Sequence, residues 1–469
     1  MDKHTKNNLI TIKDKLDKIG PGFCLAKWTQ TTIHLGVGHT HSCHHPNTHL
    51  IPIAEVNQDP SVLHNTPYKK EIRKEMLSGK RPAECRYCWK IEDLKNTELF
   101  SDRVLKSNES WSEPYFNEVL TAGAEQNFNP KYLEISFSNV CNFKCSYCMP
   151  SVSSQWTEEI ERYGPYPTST QFNTLAIDHR AKKIPIPVRE HNPYIEAFWK
   201  WFPVIYKDLH TFRITGGEPL LDKNTIKVLD FIIENPNPNL VLSINTNLCV
   251  PDTLYDNFIE KIKFITLNNK VKDVILYTSC EAYGSSAEYI RFGMDYKKWI
   301  SNFQKYLANV PGGKVTVMAT YNALSVSTFG NFLNDMLKIK KVAGLLSSSR
   351  SKESTVHIDI PYLTTPTHQS VKILTKEFVP FIDLQIQFME KSHMSVSRFG
   401  FNDHEIHKLR RIKSIIEESI STPDRDVAVN RRDFVIFVDE HDRRRGTNFL
   451  ETFPELTEFY NAYKSTKNI

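Results

Sequence analysis

The sequence predicts an α/β fold: a parallel sheet with crossover helices over residues 126–360. A cysteine-rich segment, 1–125, precedes it, and a mostly helical region, 361–469, follows. Three observations point there. Short apolar runs alternate with amphipathic stretches from about residue 130 to 345. Seven of the nine cysteines lie in the first 148 residues, a clustering that core cysteines would not show. The 469 residues are 40% apolar and 24% charged, which is globular composition with enough apolar mass for two or three domains.

The opening stretch, MDKHTKNNLITIKDKLDK, is charged and lacks the apolar run of a signal peptide. No run of about eighteen apolar residues is present, so no membrane span is expected. With an odd cysteine count, this predicts reduced thiols and a cytoplasmic protein. A net charge of +5 does not by itself argue for nucleic acid. Residues 1–125 carry few long periodic segments. Five histidines, His39, His41, His44, His45 and His49, crowd around Cys43; a His-rich tract can bind metal, but a polar, partly exposed loop is the favoured reading.

YLEISFS, TFRITG, LVLSIN, DVILYTS and KVTVMAT read as strands, with STVHIDI (354–360) as a sixth after the SSSRS loop. TIKVLDFIIEN, YDNFIEKIK, KKWISNFQKYLAN and FGNFLNDMLKI have the 3–4 spacing of helices. Between the first two strands lies a proline-rich interruption, 164–194, of the kind that covers a site. Beyond residue 365 the chain reads as polar helix, ending in a strand-like DFVIFVD. Two basic runs, Arg431–Arg432 and Arg443–Arg445, are interleaved with aspartates and read as a solvated, salt-bridged surface.

The chemistry centres on CNFKCSYC, where Cys141, Cys145 and Cys148 follow the first strand. In parallel β/α barrels the loops after strands form the reactive face. Three thiolates are one short of a tetrahedral zinc site or an ordinary iron–sulfur cube. Zinc is the rival reading, but it needs a fourth ligand and none is obvious after Cys148. An iron left open on a cube would account for the shortage.

CNFKCSYC resembles the CxxxCxxC signature of the radical S-adenosylmethionine (radical SAM) superfamily, including the aromatic Tyr147 before the last cysteine. The resemblance implies a partial (β/α)6 TIM-like barrel. It also implies a [4Fe-4S] cluster on the three thiolates whose fourth iron is chelated by S-adenosylmethionine. The second strand ends in ITGGEPLL, with Thr215, Gly216, Gly217 and Glu218. Glycines there let backbone approach a ligand closely, and the superfamily's GGE motif binds the methionine amino group. Thr246 and Asn247 after the third strand resemble residues that hold the ribose. Ser279 and Arg291 resemble positions that contact ribose and carboxylate in relatives with auxiliary clusters; a strand cap and a surface salt bridge are the plainer alternatives. Cys280-Glu281 stands where a common relative carries Asp-Gly.

Cys24, Cys43, Cys85 and Cys88 resemble part of the SPASM/twitch auxiliary-cluster pattern, here placed before the barrel. Four thiolates would close a second iron–sulfur cluster; structural zinc is the alternative. Cys249 reads as a small core or loop residue, and Cys280, at a strand end, as one that could face the reaction chamber.

The resemblance implies an enzyme that reductively cleaves S-adenosylmethionine to a 5′-deoxyadenosyl radical, fed by an external electron donor such as a flavodoxin or ferredoxin. The radical takes hydrogen from a substrate, first expected to be a peptide or protein side chain. The alternatives are a nucleotide, nucleic acid or small metabolite, or a non-catalytic iron–sulfur or zinc protein. No spacing singles out a catalytic acid or base.

Overall fold

The computed structural model describes residues 5–94, 99–346, 355–396 and 399–464. The SSSRS loop lies outside the described residues. Among the described residues there are eleven strands: β1 Gln30–His34, β2 His39–His41, β3 His49–Leu50, β4 Tyr132–Ser136, β5 Lys144–Cys145, β6 Thr211–Thr215, β7 Asn237–Asn245, β8 Val271–Ser279, β9 Arg291–Phe292, β10 Lys314–Met318 and β11 Val356–Asp359.

Nine of them form one sheet in the order β11-β10-β8-β7-β6-β4-β1-β2-β3. From β4 to β11 the six barrel strands are parallel and sequential, each neighbouring the next in chain order. This is the α/β partial barrel expected. Helices Lys223–Glu234, Asp252–Leu267, Tyr296–Asn309 and Phe329–Leu346 connect the strands, where amphipathic spacing predicted them. Along β8 from Val274 onward and along β10, residues alternate between buried and half-buried. One face packs under the helices, and the other lines the barrel lumen.

The N-terminal segment adds to that sheet. β1 pairs in parallel with β4, matching Gln30 to Tyr132 and His34 to Ser136. β2 and β3 then extend the edge antiparallel. The segment also holds its own apolar cluster, built on Leu9, Leu16, Phe23, Leu25, Trp28 and Met76, with Cys85 and Cys88 packed into it.

DFVIFVD is not a strand. It lies inside the helix Val427–Arg445, with Phe434, Val435, Phe437 and Val438 all fully buried. A short continuous apolar run fits a buried strand or a buried helix equally, and here the 3–4 spacing within the run wins. Asp433 in this helix accepts hydrogen bonds from the Ser169 and Thr170 N–H groups, so the helix pins the 164–194 segment. Among the described residues no helix is long and apolar enough to cross a membrane.

Candidate functional site

Cys141, Cys145 and Cys148 border one cavity of about 330 Å³ at the C-terminal ends of the barrel strands. Small-molecule sites typically occupy about 300–1,000 Å³. The cavity also brings together Tyr147, Gly216, Gly217, Glu218, Thr246, Asn247, Ser279 and Arg291. Thr215 does not border it; its hydroxyl hydrogen-bonds the Ile135 carbonyl and Glu134 instead. Asn245 and Thr320, which sequence reasoning missed, do border it. Both stand at or just after strand ends, which was the available signal.

The thiol loop is held from outside. Its carbonyls turn outward onto donors from several segments. Ser153 Oγ donates to the Phe143 carbonyl (2.8 Å), Arg445 Nη1 to Lys144 (2.6 Å) and Trp156 Nε1 to Cys145 (2.8 Å). Gln369 Nε2 donates to Ser146 (3.0 Å) and Asn173 Nδ2 to Cys148 (2.9 Å). With the carbonyls engaged, the thiols are free to face the cavity. Asn173 belongs to the 164–194 segment, which therefore touches the loop directly.

The basic run 443–445 is not all solvated. Only the Arg443 side chain is exposed, at 58%; Arg444 and Arg445 are at 1% and 0%. Arg445 pairs with the buried Glu159 and lies over the Trp156 ring at 4.8 Å. These partners are distant in sequence, so composition alone could not reveal them.

The two glycines are needed for packing between loops. Gly216 has φ +124°, and a Cβ there would meet Ser136 Oγ at 2.6 Å; a Cβ on Gly217 would meet the Val140 carbonyl at 2.3 Å. The Glu218 carboxylate accepts N–H bonds from Leu220 (3.0 Å) and Asn247 (2.6 Å), tying the glycine loop to the loop after β7. Burial nevertheless raises its pKa to about 7, because the apolar surroundings cost more than these bonds return.

Burial also raises the thiol pKa values of Cys141 and Cys145, and that of Cys148 to about 12. Arg291 is buried, with Glu281 as its counter-ion at 2.6 Å, so the surface salt bridge does not apply. Cys280 is fully buried and donates to the Ala282 carbonyl, away from the cavity. Cys249 is half-buried and donates to the Asp295 carbonyl.

Cys24, Cys43, Cys85 and Cys88 border a second, smaller cavity with Lys27, Arg103 and Lys106. Among the described residues the buried Lys106 Nζ has no hydrogen-bond partner, and Asp102 lies at 3.7 Å from it. An anionic group in the cavity would give that ammonium a partner. Burial raises the Cys24 thiol, and raises Cys85 to about 12.

Among the described residues, no three His, Cys, Asp or Glu side chains converge tightly enough to hold a single metal ion. Each thiol set instead borders a space.

Of the histidines near Cys43, His44 and His45 lie in the partly exposed loop expected, the His44 side chain being 47% exposed, and the other three stand on strands. His39 and His41 sit on β2 and His49 on β3. Burial lowers His41 to about 3 and His49 to about 2, and lowers His39 and His44 as well. They have local partners: Thr48 for His39, Thr66 for His49 and Asp102 for His45. His44 reaches toward Glu134 of β4, at 4.0 Å.

No family model matches the chain. It is similar to the GTP 3′,8-cyclase of Nautilia profundicola, at 31% identity over 116 residues, covering 25% of this chain and 27% of that protein. It is similar to the enzyme of that name from Campylobacter lari at 30% over 118 residues, covering 25% and 28%. The Helicobacter pylori protein of the same name matches at 31% over 118 residues, covering 24% and 27%. The chain thus spans about a quarter of the length of these relatives.

Proposed function

We propose that this chain, which belongs to the radical S-adenosylmethionine superfamily, is an enzyme acting on a nucleotide substrate through a cluster held by Cys141, Cys145 and Cys148. The observation that carries this reading is the three-thiol cavity, whose facing wall is built from Gly216–Glu218, Thr246–Asn247 and Ser279. The similar proteins carry the name of a reaction on GTP, which favours a nucleotide over the peptide or protein side chain first expected.

Together, the [4Fe-4S] cluster and S-adenosylmethionine supply, when bound, a 5′-deoxyadenosyl radical, formed by one-electron reductive cleavage. The rest is the chain's work. The three thiols would hold the cluster. Glu218 fixes the glycine loop against the Asn247 loop, shaping the wall the cosubstrate lies on. Thr246, Asn247 and Ser279 supply polar contacts from that wall, and Tyr147 from the thiol loop opposite. The 164–194 segment, anchored through Asn173 and Asp433, shields the reacting atoms from water. Cys24, Cys43, Cys85 and Cys88, which border the second cavity, would hold a second cluster in the N-terminal segment.

Anaerobically reconstituted protein, given dithionite and S-adenosylmethionine, should release 5′-deoxyadenosine, and a nucleotide panel including GTP should raise that release. Fully loaded protein that releases none would refute the chemistry. Stimulation by peptides and by no nucleotide would restore the first expectation.

A further inference from the structure

Arg291 is committed to the thiol loop more than to the cavity. β5 and β9 pair antiparallel, setting Cys145 opposite Arg291 and Lys144 opposite Phe292. The Ser146 N–H donates to the Ile290 carbonyl at 2.6 Å, continuing the contact. Gly293, at φ +106°, lets the chain turn away; a Cβ there would meet the Asn142 carbonyl at 2.7 Å. The backbone therefore fixes Arg291 beside Cys145 before any side-chain contact is counted.

The guanidinium donors are then used in turn. Nε and Nη2 donate to Glu281 Oε2 at 3.0 and 2.6 Å. Nη2 also donates to Tyr147 Oη at 2.5 Å, and Nη1 to Cys145 Sγ at 3.6 Å. A guanidinium has five N–H groups, so a single one on Nη1 remains for a cosubstrate. A bidentate grip on a carboxylate is not available without breaking this set. Arg291 is 6% exposed and Glu281 1%, so both charges act in a poorly screened interior.

We propose that Arg291 sets the reduction potential of the cluster on Cys141, Cys145 and Cys148 by holding a cation and an N–H on the Cys145 sulfur, with Glu281 as the buried counter-ion that offsets it. This rests on the superfamily reading of the site. Reduction adds one negative charge to the cluster; a nearby cation and an N–H···S bond stabilise that charge, so the potential rises. Glu281, whose Oε2 meets Nε and Nη2 while the sulfur meets Nη1, opposes it. The two residues should therefore act with opposite sign, which a merely structural pair would not do.

The test uses the full chain, anaerobically reconstituted, with cluster reduction followed by electron paramagnetic resonance against potential in the absence of S-adenosylmethionine. The signal that changes when the cosubstrate is later added identifies the three-thiolate cluster. Arg291→Gln should lower the ratio of reduced to oxidised cluster at a fixed potential at least about tenfold, a shift of about 59 mV for a one-electron couple. Glu281→Gln should raise that ratio. The double variant, which removes both charges and leaves neither unpaired, should fall between them and keeps the test open if a single variant loses its cluster. Potentials that coincide in all three variants and the parent, or shift the same way in both single variants, would overturn the proposal; weakened cosubstrate binding with an unchanged potential would return Arg291 to the role of a cosubstrate ligand. If no signal in the parent protein responds to the cosubstrate, the reading of the site fails instead.

Discussion

Glu218 shows how much one buried carboxyl can report. Its folded pKa is about 7, above the ordinary value of 4.5, so the folded state holds the proton more tightly than the unfolded chain. The contribution to stability is full below the unfolded value and is lost as pH rises through the folded one. That loss is about 3 kcal/mol. In the metal-free protein, the stability of the parent relative to Glu218→Gln should fall by roughly this amount as pH rises across that window. Urea denaturation at several pH values checks it. The three thiols titrate high because they are buried, so binding iron must displace their protons. Cluster loading should release protons and run further toward completion as pH rises, which iron incorporation measured against pH would show.

At the scale of elements, the thiol loop is a strand-end loop whose conformation is imposed by its neighbours. Removing one donor leaves a buried carbonyl unsatisfied, at about 1–3 kcal/mol. Arg445→Met also removes one of two cations from Glu159, which keeps Lys144 at 2.9 Å and the Tyr166 hydroxyl, so the cost stays at about 2–3 kcal/mol. It should lower the melting temperature and speed iron loss to a chelator, while Arg443→Met, at an exposed position, should change stability by about 0.5 kcal/mol or less. This difference between neighbouring arginines was not legible in the sequence. Alternation in YLEISFS or DVILYTS is local and survives tertiary context, so the barrel strands could be read. CNFKCSYC could be read because its spacing is itself the chemistry. The joining of β1 to β4, the burial of Arg445 and the donors Asn173 and Gln369 depend on pairings between distant segments, which no window of sequence contains. DFVIFVD was misread because a solid apolar run carries little phase.

The whole molecule places two thiol cavities in one chain, the second inside a segment with its own apolar cluster that still shares the barrel's sheet. Cys24→Ala combined with Cys85→Ala should lower iron from about eight to about four per chain. The signal of the three-thiolate cluster should persist. Iron and sulfide analysis checks this, and an unchanged count would assign the N-terminal thiols to another metal or to none. Replacing residues 175–190 by a short linker keeps the anchors at Asn173 and Thr170. It should uncouple 5′-deoxyadenosine release from product formation by admitting water; unchanged coupling would remove the segment's shielding role.

The reach of Arg445 to the Lys144 carbonyl spans 301 positions of chain. At about 5–20 residues per second, a ribosome needs roughly 15–60 s to cover that distance. Throughout that interval the nascent thiols stand without their final clasp, open to adventitious metals and oxidants. Iron insertion into a settled cage therefore belongs after translation has passed this helix.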